Sequence, residues 1–438
     1  MRVAHMLVVV IVAAAMLANG VGSASAQSRT TEPLVQPYFQ SGKLAEGDAA
    51  LTEHLKANPG DDQARFGLGT LQFLRAVERL MQSLYTYGLR SGENELTEDL
   101  PFARLPTPPN ANPKTMTYDA LREIAATWIA DLARAEAMLA QVKSTDVKLP
   151  IKFGLVRLDF NGDGTAADEE TLWKIFMRVQ GGGRGEIDDD DAPAGAGVRG
   201  EPDVAAKAQQ FVIAFDAGDV QWLRGYCHLL SALAEIALAH DSRELFNATA
   251  HLFFQKVQTP FPYLAEGRKV ADMGMGFDIA DAIAFIHLIR FPVTEPKRMS
   301  AARDHLHAML RQSRESWKLI QAETDDDREW LPNAKQATVV PNVRVTQEMI
   351  DGWLRFVDEG EALLEGKRLA PFWRGTGNRG VNLRRVFIEP TQLDLVLWIQ
   401  GSAAAPYIED GELTRPDVWR NLVQVFGGNM FGFAAWFN

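Results

Sequence analysis

The sequence predicts a mainly α protein, a large helical bundle with minor β-structure near the C-terminus. Three observations predict it. Apolar residues recur at helical spacing over long stretches, as with Leu121, Ile124, Ala125, Trp128, Ile129, Leu132 and Met138 within 118–142. The stretch 220–239 is apolar on nearly every face, the pattern of a central buried helix. Only beyond residue 340 do segments read as strands. Hydrophobic residues are 46% and charged ones 23% of 438, the balance of a globular chain with a core.

The first 26 residues read as a secretory signal. Arg2 supplies positive charge, 6–18 form an apolar stretch, and Ala24-Ser25-Ala26 is an A-x-A cleavage site that leaves Gln27 first. The apolar run is shorter than the ~20 residues a membrane span needs. The expectation is an exported protein with no membrane span after cleavage, in a bacterial periplasm or, as second choice, secreted. The formal charge is −12, or −13 once Arg2 leaves with the signal, which argues against nucleic acid as a partner. The single cysteine, Cys227, permits no internal disulfide and lies in an apolar run, as a buried thiol does.

Residues 27–145 form a first segment. Gly42 to Leu51 read as a turn and helix, 57–62 (Ala-Asn-Pro-Gly-Asp-Asp) as the loop that ends it, and Ala64 to Gly69 as the start of the next unit. With a 34-residue frame, Pro59 ends one unit and Gly69 takes the small-residue position of the next. This pattern resembles tetratricopeptide-type helical repeats, with Gly47 and His54 standing where alanine is usual. The resemblance covers fewer than sixty residues and implies stacked helices that lean on those after them. A proline-rich connection, 100–114, leads to a helix over 118–142.

Within 150–180, the run Asp159-Phe160-Asn161-Gly162-Asp163-Gly164-Thr165-Ala166-Ala167-Asp168-Glu169-Glu170 has oxygen side chains at positions 1, 3 and 5, glycine at 6 and glutamate at 12. Ca²⁺ takes about 6–8 oxygens at roughly 2.3–2.6 Å, and a short loop supplies them when alternate residues point inward. Gly164 permits the sharp turn. The run resembles an EF-hand calcium loop, D-x-[DN]-x-[DN]-G-x5-E. The resemblance implies Ca²⁺ held by Asp159, Asn161 and Asp163 side chains, the Thr165 carbonyl, and both oxygens of Glu170 from the first turn of a following helix. Ala166 departs from the branched residue usual in paired loops, and Ala167 leaves its place to water. The entering segment, 150–158, is short and proline-led. No second loop of this pattern exists; Asp216-Ala217-Gly218-Asp219 reads as a helix-capping turn, with Asp219 as the N-cap.

Residues 181–201 read as a flexible, acidic, Gly-rich linker. Residues 202–335 read as a core helical throughout, with His228, His240, His251, His287, His305 and His307 scattered without ligand spacing. Residues 336–438 are mixed: a helix over 346–365 ended by Gly366, a strand over 381–388, and an apolar run over 393–400 that fits strand or helix. Trp373, Arg374, Arg384, Arg385, Trp398 and Trp419 make this part aromatic and basic, which reads as core aromatics beside surface arginines.

The function expected is that of an exported calcium-binding protein. Its ion is a structural staple in a helical scaffold whose surface meets a protein or ligand partner. The alternative is an exported hydrolase, saccharide-directed, with a structural calcium. The sequence carries no nucleophile elbow, zinc-protease pair, P-loop or dinucleotide fingerprint.

Overall fold

The computed structural model describes residues 32–90, 109–175, 211–266, 279–340, 343–425 and 436–438. The expected signal (1–26), the linker (181–201) and most of the proline-rich connection lie outside these residues. The fold is mainly α.

The chain opens with α1 (Gln36–Ser41), ended by Gly42 in the left-handed region at φ 71°. Helix α2 (Leu44–Ala57) follows, then α3 (Asp62–Thr86), where Asp61 accepts the Ala64 amide N–H (2.8 Å) as N-cap. Thr117 caps α4 (Tyr118–Leu139) the same way through Ala120 (3.0 Å). One buried carboxylate clamps these helices. Asp48 of α2 accepts from Gln72 (3.0 Å) and Arg75 of α3 and from Arg134 of α4 (2.9 Å).

Strand β1 (Leu149–Ile151) pairs antiparallel with β2 (Ile213–Phe215), Leu149 opposite Phe215 and Ile151 opposite Ile213. The short segment entering the acidic loop is β1, whose backbone pairs with β2, plus a 3₁₀ turn, Phe153–Leu155. One expectation is corrected here. Residues 202–335 are not helical throughout. Ile213-Ala214-Phe215, β-branched and aromatic, forms a strand that buries Ile213 and Ala214.

The central helix α5 (Ala217–Ala239) packs on α3 and α4. Its N-cap is Asp216, not Asp219. Asp216 accepts from Gly218 (2.7 Å), while Asp219, three residues on, accepts the Asp216 N–H (3.0 Å), a capping box. Helices α6 (Arg243–Thr249), α7 (Pro262–Glu266) and α8 (Ile279–His287) lead to β3 (Arg290–Phe291). The long α9 (Pro296–Ala322) then lies against α5.

Helix α10 (Gln347–Leu364) is capped by Thr346 and stops before Gly366 at φ 72°. Beyond it come β4 (Ala370–Pro371), β5 (Arg379–Val381), α11 (Leu383–Ile388), β6 (Leu393–Asp394), α12 (Leu395–Gln400), β7 (Ile408–Asp410) and α13 (Pro416–Val425). Strands β4-β5-β7 form one small antiparallel sheet, and β3 pairs with β6. The strand expected over 381–388 is therefore a helix for most of its length. Asn382 accepts the Arg385 N–H (3.2 Å), and this cap turns the chain into α11 immediately after β5. The apolar run 393–400 divides, two residues of strand and then helix.

The C-terminal residues close the core. Trp317 of α9, fully buried, packs with its ring tilted against Phe437, centroids 4.7 Å apart, and donates its indole N–H to the Phe437 carbonyl (3.3 Å). Trp317→Ala is expected to lower unfolding free energy by about 3–5 kcal/mol in urea titrations, the cost of an aromatic-sized cavity. A change under about 1 kcal/mol would place Trp317 outside the cooperative core.

Candidate metal centre

The loop 159–170 begins and ends in the core and projects its tip to solvent. Asp159 and Glu170 are 7% and 5% exposed, whereas 162–165 are exposed. Its flanks are zipped by a short antiparallel bridge: Leu158 N–H donates to the Glu170 carbonyl (3.2 Å) and Leu172 N–H to that of Val156 (2.8 Å). Phe160, Leu172 and Ile175 are buried.

Alternate side-chain oxygens turn inward because backbone N–H groups hold them there. Asp159 Oδ1 accepts from Gly162 (2.7 Å) and Oδ2 from Gly164 (2.9 Å). Asn161 Oδ1 accepts from Asp163 (2.8 Å), and Asp163 Oδ1 from Thr165 (2.8 Å). The chain can bend this tightly because Gly162 and Gly164 sit at φ 73° and 84°, where a Cβ is strained. Glu170, at the end of a 3₁₀ turn (Asp168–Glu170), accepts from Phe160 (2.9 Å) and Ala167 (2.7 Å), one N–H per oxygen. Residues 172–175 are helical; Phe176 and Met177 lie outside the described residues.

The loop is fastened to three other elements. Glu78 of α3 accepts the Asp159 N–H (2.9 Å), and Gln82 of α3 donates to the Asp159 carbonyl (2.8 Å). Arg157 N–H donates to the Phe39 carbonyl of α1 (2.9 Å). Ala166 lies against the turn after α1 so closely that a Cβ on Gly42 would fall 2.2 Å from its own. Leu158 and Leu172, flanking the loop, share the walls of a cavity of about 70 Å³ with Trp222 and Leu223 of α5.

The electrostatics are one-sided. Asp168 pairs outward with Arg157 (2.8 Å) and Lys174 (3.1 Å), but among the described residues no ion pair reaches Asp159, Asp163 or Glu170. Burial pushes the Glu170 carboxyl up, against two N–H bonds that pull it down, and the Asp159 and Asp163 charges add to the rise. Burial likewise pushes Glu78 up to about 7, with the Asp159 and Glu170 charges contributing. The oxygen-only donor set suits Ca²⁺, and each inward carboxylate oxygen retains a lone pair beyond its N–H bond. The loop's acids do not by themselves draw together. Among the described residues, the three carboxylates whose oxygens all lie within 4.8 Å of one another are Asp216, Glu323 and Glu329.

That second cluster was not singled out in the sequence. Burial, then the Asp216 charge, pushes Glu323 up to about 9, and burial pushes Glu329 up to about 7. The histidines, scattered in sequence, yield one close pair. His228 Nδ1 of α5 and His305 Nδ1 of α9 lie 3.0 Å apart, as one N–H···N bond places them. Glu136 of α4 stands 3.6 Å from His228 Nε2 and takes two N–H groups of Arg224 (2.9 and 3.0 Å). Cys227, 1% exposed, has its thiol pushed up by burial, against the thiolate form. The C-terminal aromatics do not converge: Trp398 stacks on Tyr407, Trp419 meets Phe356, and Trp373 is exposed under Arg374. Arg385 is paired with Glu389 and Glu409.

No protein-family model, curated protein or solved structure matches the chain.

Two outcomes follow from this geometry. Gly42→Ala is expected to destabilise the protein by more than 1 kcal/mol, through its positive φ and the clash with Ala166; equilibrium denaturation measures it, and a neutral result would detach the loop from the α1–α2 turn. The second concerns acid. His228 and Arg224 hold Glu136 down at about 2, opposed by burial. A carboxyl depressed in the folded state stabilises above its unfolded pKa and loses that stabilisation as pH falls through the folded value. The stability advantage of wild type over Glu136→Gln should therefore shrink between about pH 5 and pH 2; a gap constant over that window would contradict the pairing.

Proposed function

We propose that this is an exported calcium-binding protein in which the ion at 159–170 is a structural staple. It joins the α1–α3 segment to the helical bundle around α5. The observation that carries the reading is the fastening of Asp159. Its side chain organises the loop, while its backbone N–H and carbonyl are gripped by Glu78 and Gln82 of α3. An ion that closes Asp159, Asn161, Asp163, the Thr165 carbonyl and Glu170 around itself would fix that grip. It would also fix the positions of Leu158 and Leu172 against α5. The uncompensated charge of the acids favours a cation by the same argument. Calcium is abundant outside the cytosol, so a modest site there stays filled and acts mechanically, consistent with the signal-like leader.

The helices around this joint would serve as a scaffold for a protein or ligand partner. Exposed Ile283 and Ile286 on α8 and Val396, Leu397 and Ile399 on α12 support this part of the reading, because the two helices are neighbours and each leaves large apolar side chains exposed.

Thermal unfolding in calcium and in EDTA tests the staple. A ligand bound only by the folded state adds about 2.7 kcal/mol at a hundredfold excess over Kd. Calcium is expected to raise the wild-type midpoint and to leave Asp159→Ala unmoved, and Glu170→Gln should bind calcium more weakly without unfolding. Coincident wild-type curves, together with no calorimetric heat of calcium binding, would remove the proposal.

A further inference from the structure

A second group of carboxylates meets where three segments end. Asp216 caps α5, Glu323 stands just past α9, and Glu329 lies in the acidic loop that follows. Each offers an oxygen, and the three oxygens lie within 4.8 Å of one another. Two ligands on opposite sides of one Ca²⁺ stand about 4.6–5.2 Å apart, twice the usual Ca–O distance. The spacing is that of donors around a shared ion.

The charge is compensated only at a distance, by Lys148 acting on Asp216 and Glu329. Lys148, the basic group beside them, is bound to Asp325 and lies 3.8 Å from Asp327. Among the described residues no ion pair reaches Asp216, Asp219, Glu323 or Glu329. The other polar contacts do not neutralise them: Gln336 donates to Glu323 (3.2 Å), and the Asp327 N–H to Glu329 (2.8 Å).

Asp216 and Glu323 also bond each other through a shared proton; an independent observation points to a further ligand here. Asp219, 3% exposed, adjoins this group and the wall of the apolar cavity: its Oδ2 accepts the Asp216 N–H (3.0 Å), and the Asp216, Glu323 and Glu329 charges all act on it. Its Oδ1 is fully buried and has no hydrogen-bond partner. Protons shared among the acids would lower the repulsion yet leave Oδ1 without a partner, at a cost of about 1–3 kcal/mol. A hydrated cation removes the repulsion and supplies a water to that oxygen.

We propose that Asp216, Glu323 and Glu329 bind a second hard divalent cation, one of whose water ligands is held by Asp219. All-oxygen, carboxylate-rich ligation selects Ca²⁺, Mg²⁺ or Mn²⁺ over softer metals. The ion ties the first turn of α5 to the end of α9. It is independent of the 159–170 loop.

Calorimetric titration of the full chain with Ca²⁺ and with Mn²⁺ tests this. The variants are Asp159→Ala, the pair Glu323→Gln with Glu329→Gln, and all three together. The expected result is that the Gln pair loses one equivalent relative to wild type, or weakens it by more than the ~10–100-fold that loss of an outer-shell partner costs. Asp159→Ala keeps that equivalent, and the triple variant binds none. If the 159–170 loop binds nothing, wild type takes one equivalent, which survives Asp159→Ala and disappears in the Gln pair. That result defeats the calcium staple and leaves this site standing. Unchanged stoichiometry and affinity in the Gln pair, or loss of all binding in Asp159→Ala, overturns the site. Should the Gln pair misfold, Asp159→Ala with its acids intact is titrated with Mn²⁺: paramagnetic broadening of the Trp330 indole N–H, one residue from Glu329, is expected, and its absence overturns the site.

Discussion

The constraint on which the structure turns is buried negative charge at the joints between helices. Asp159, Glu170 and Glu78 sit together beneath the loop, each buried, each facing the others, with no arginine or lysine paired to Asp159 or Glu170 among the described residues. Isolated ionised carboxylates in such surroundings are costly. Backbone N–H groups offset part of that cost, two to Asp159 and two to Glu170, and shape the loop in doing so. The remaining repulsion is what a cation would relieve under the proposed reading, in which the same residues also aim the ligand atoms. Asp48 is the opposite solution in the same protein: an equally buried acid, satisfied by Gln72, Arg75 and Arg134, that clamps α2, α3 and α4 with no need of an ion.

This charge sits where mechanical fixing matters. Helix α3 holds Asp159 through Glu78 and Gln82, the α1–α2 turn presses on Ala166, and Leu158 and Leu172 reach the apolar cavity beside Trp222. The loop is thus the point at which the N-terminal helices, the β1–β2 pair and α5 meet. Asp219, in the first turn of α5, lines the same cavity, and Asp216, Glu323 and Glu329 meet where α5 begins and α9 ends. Two acidic groups thus border one apolar space.

Much of this was legible in the sequence, for identifiable reasons. Helical spacing located α4 and α10 to within a few residues, and the caps Thr346 and Gly366 fixed the ends of α10. The loop was legible because its ligands lie within twelve consecutive residues. What escaped was long-range. Glu78 lies 81 residues from Asp159, yet a signal was present: Leu71, Leu74, Glu78 and Met81 follow helical spacing, which puts a charge on the apolar stripe of α3. Glu323-Thr324-Asp325-Asp326-Asp327-Arg328-Glu329 falls inside the stretch read as helical, and nothing local shows that Asp216 folds against it. The β1–β2 pair was hidden for the same reason: three-residue strands carry too little periodicity, and their partner lies sixty residues away. The N-cap of α5 moved from Asp219 to Asp216 because both aspartates belong to one capping box, and only the backbone distinguishes which residue stands outside the helix.

Backbone hydrogen exchange, measured residue by residue with calcium and with EDTA, decides whether an ion in the loop locks α3 to the rest of the molecule. If it does, calcium slows exchange at Phe160, Gly162, Gly164 and Ala167 and, in the same step, at the Asp159 amide held by Glu78 and along α3 around Gln82. Slowing confined to the loop, with α3 unchanged, would contradict the staple; so would exchange that calcium leaves unaltered everywhere.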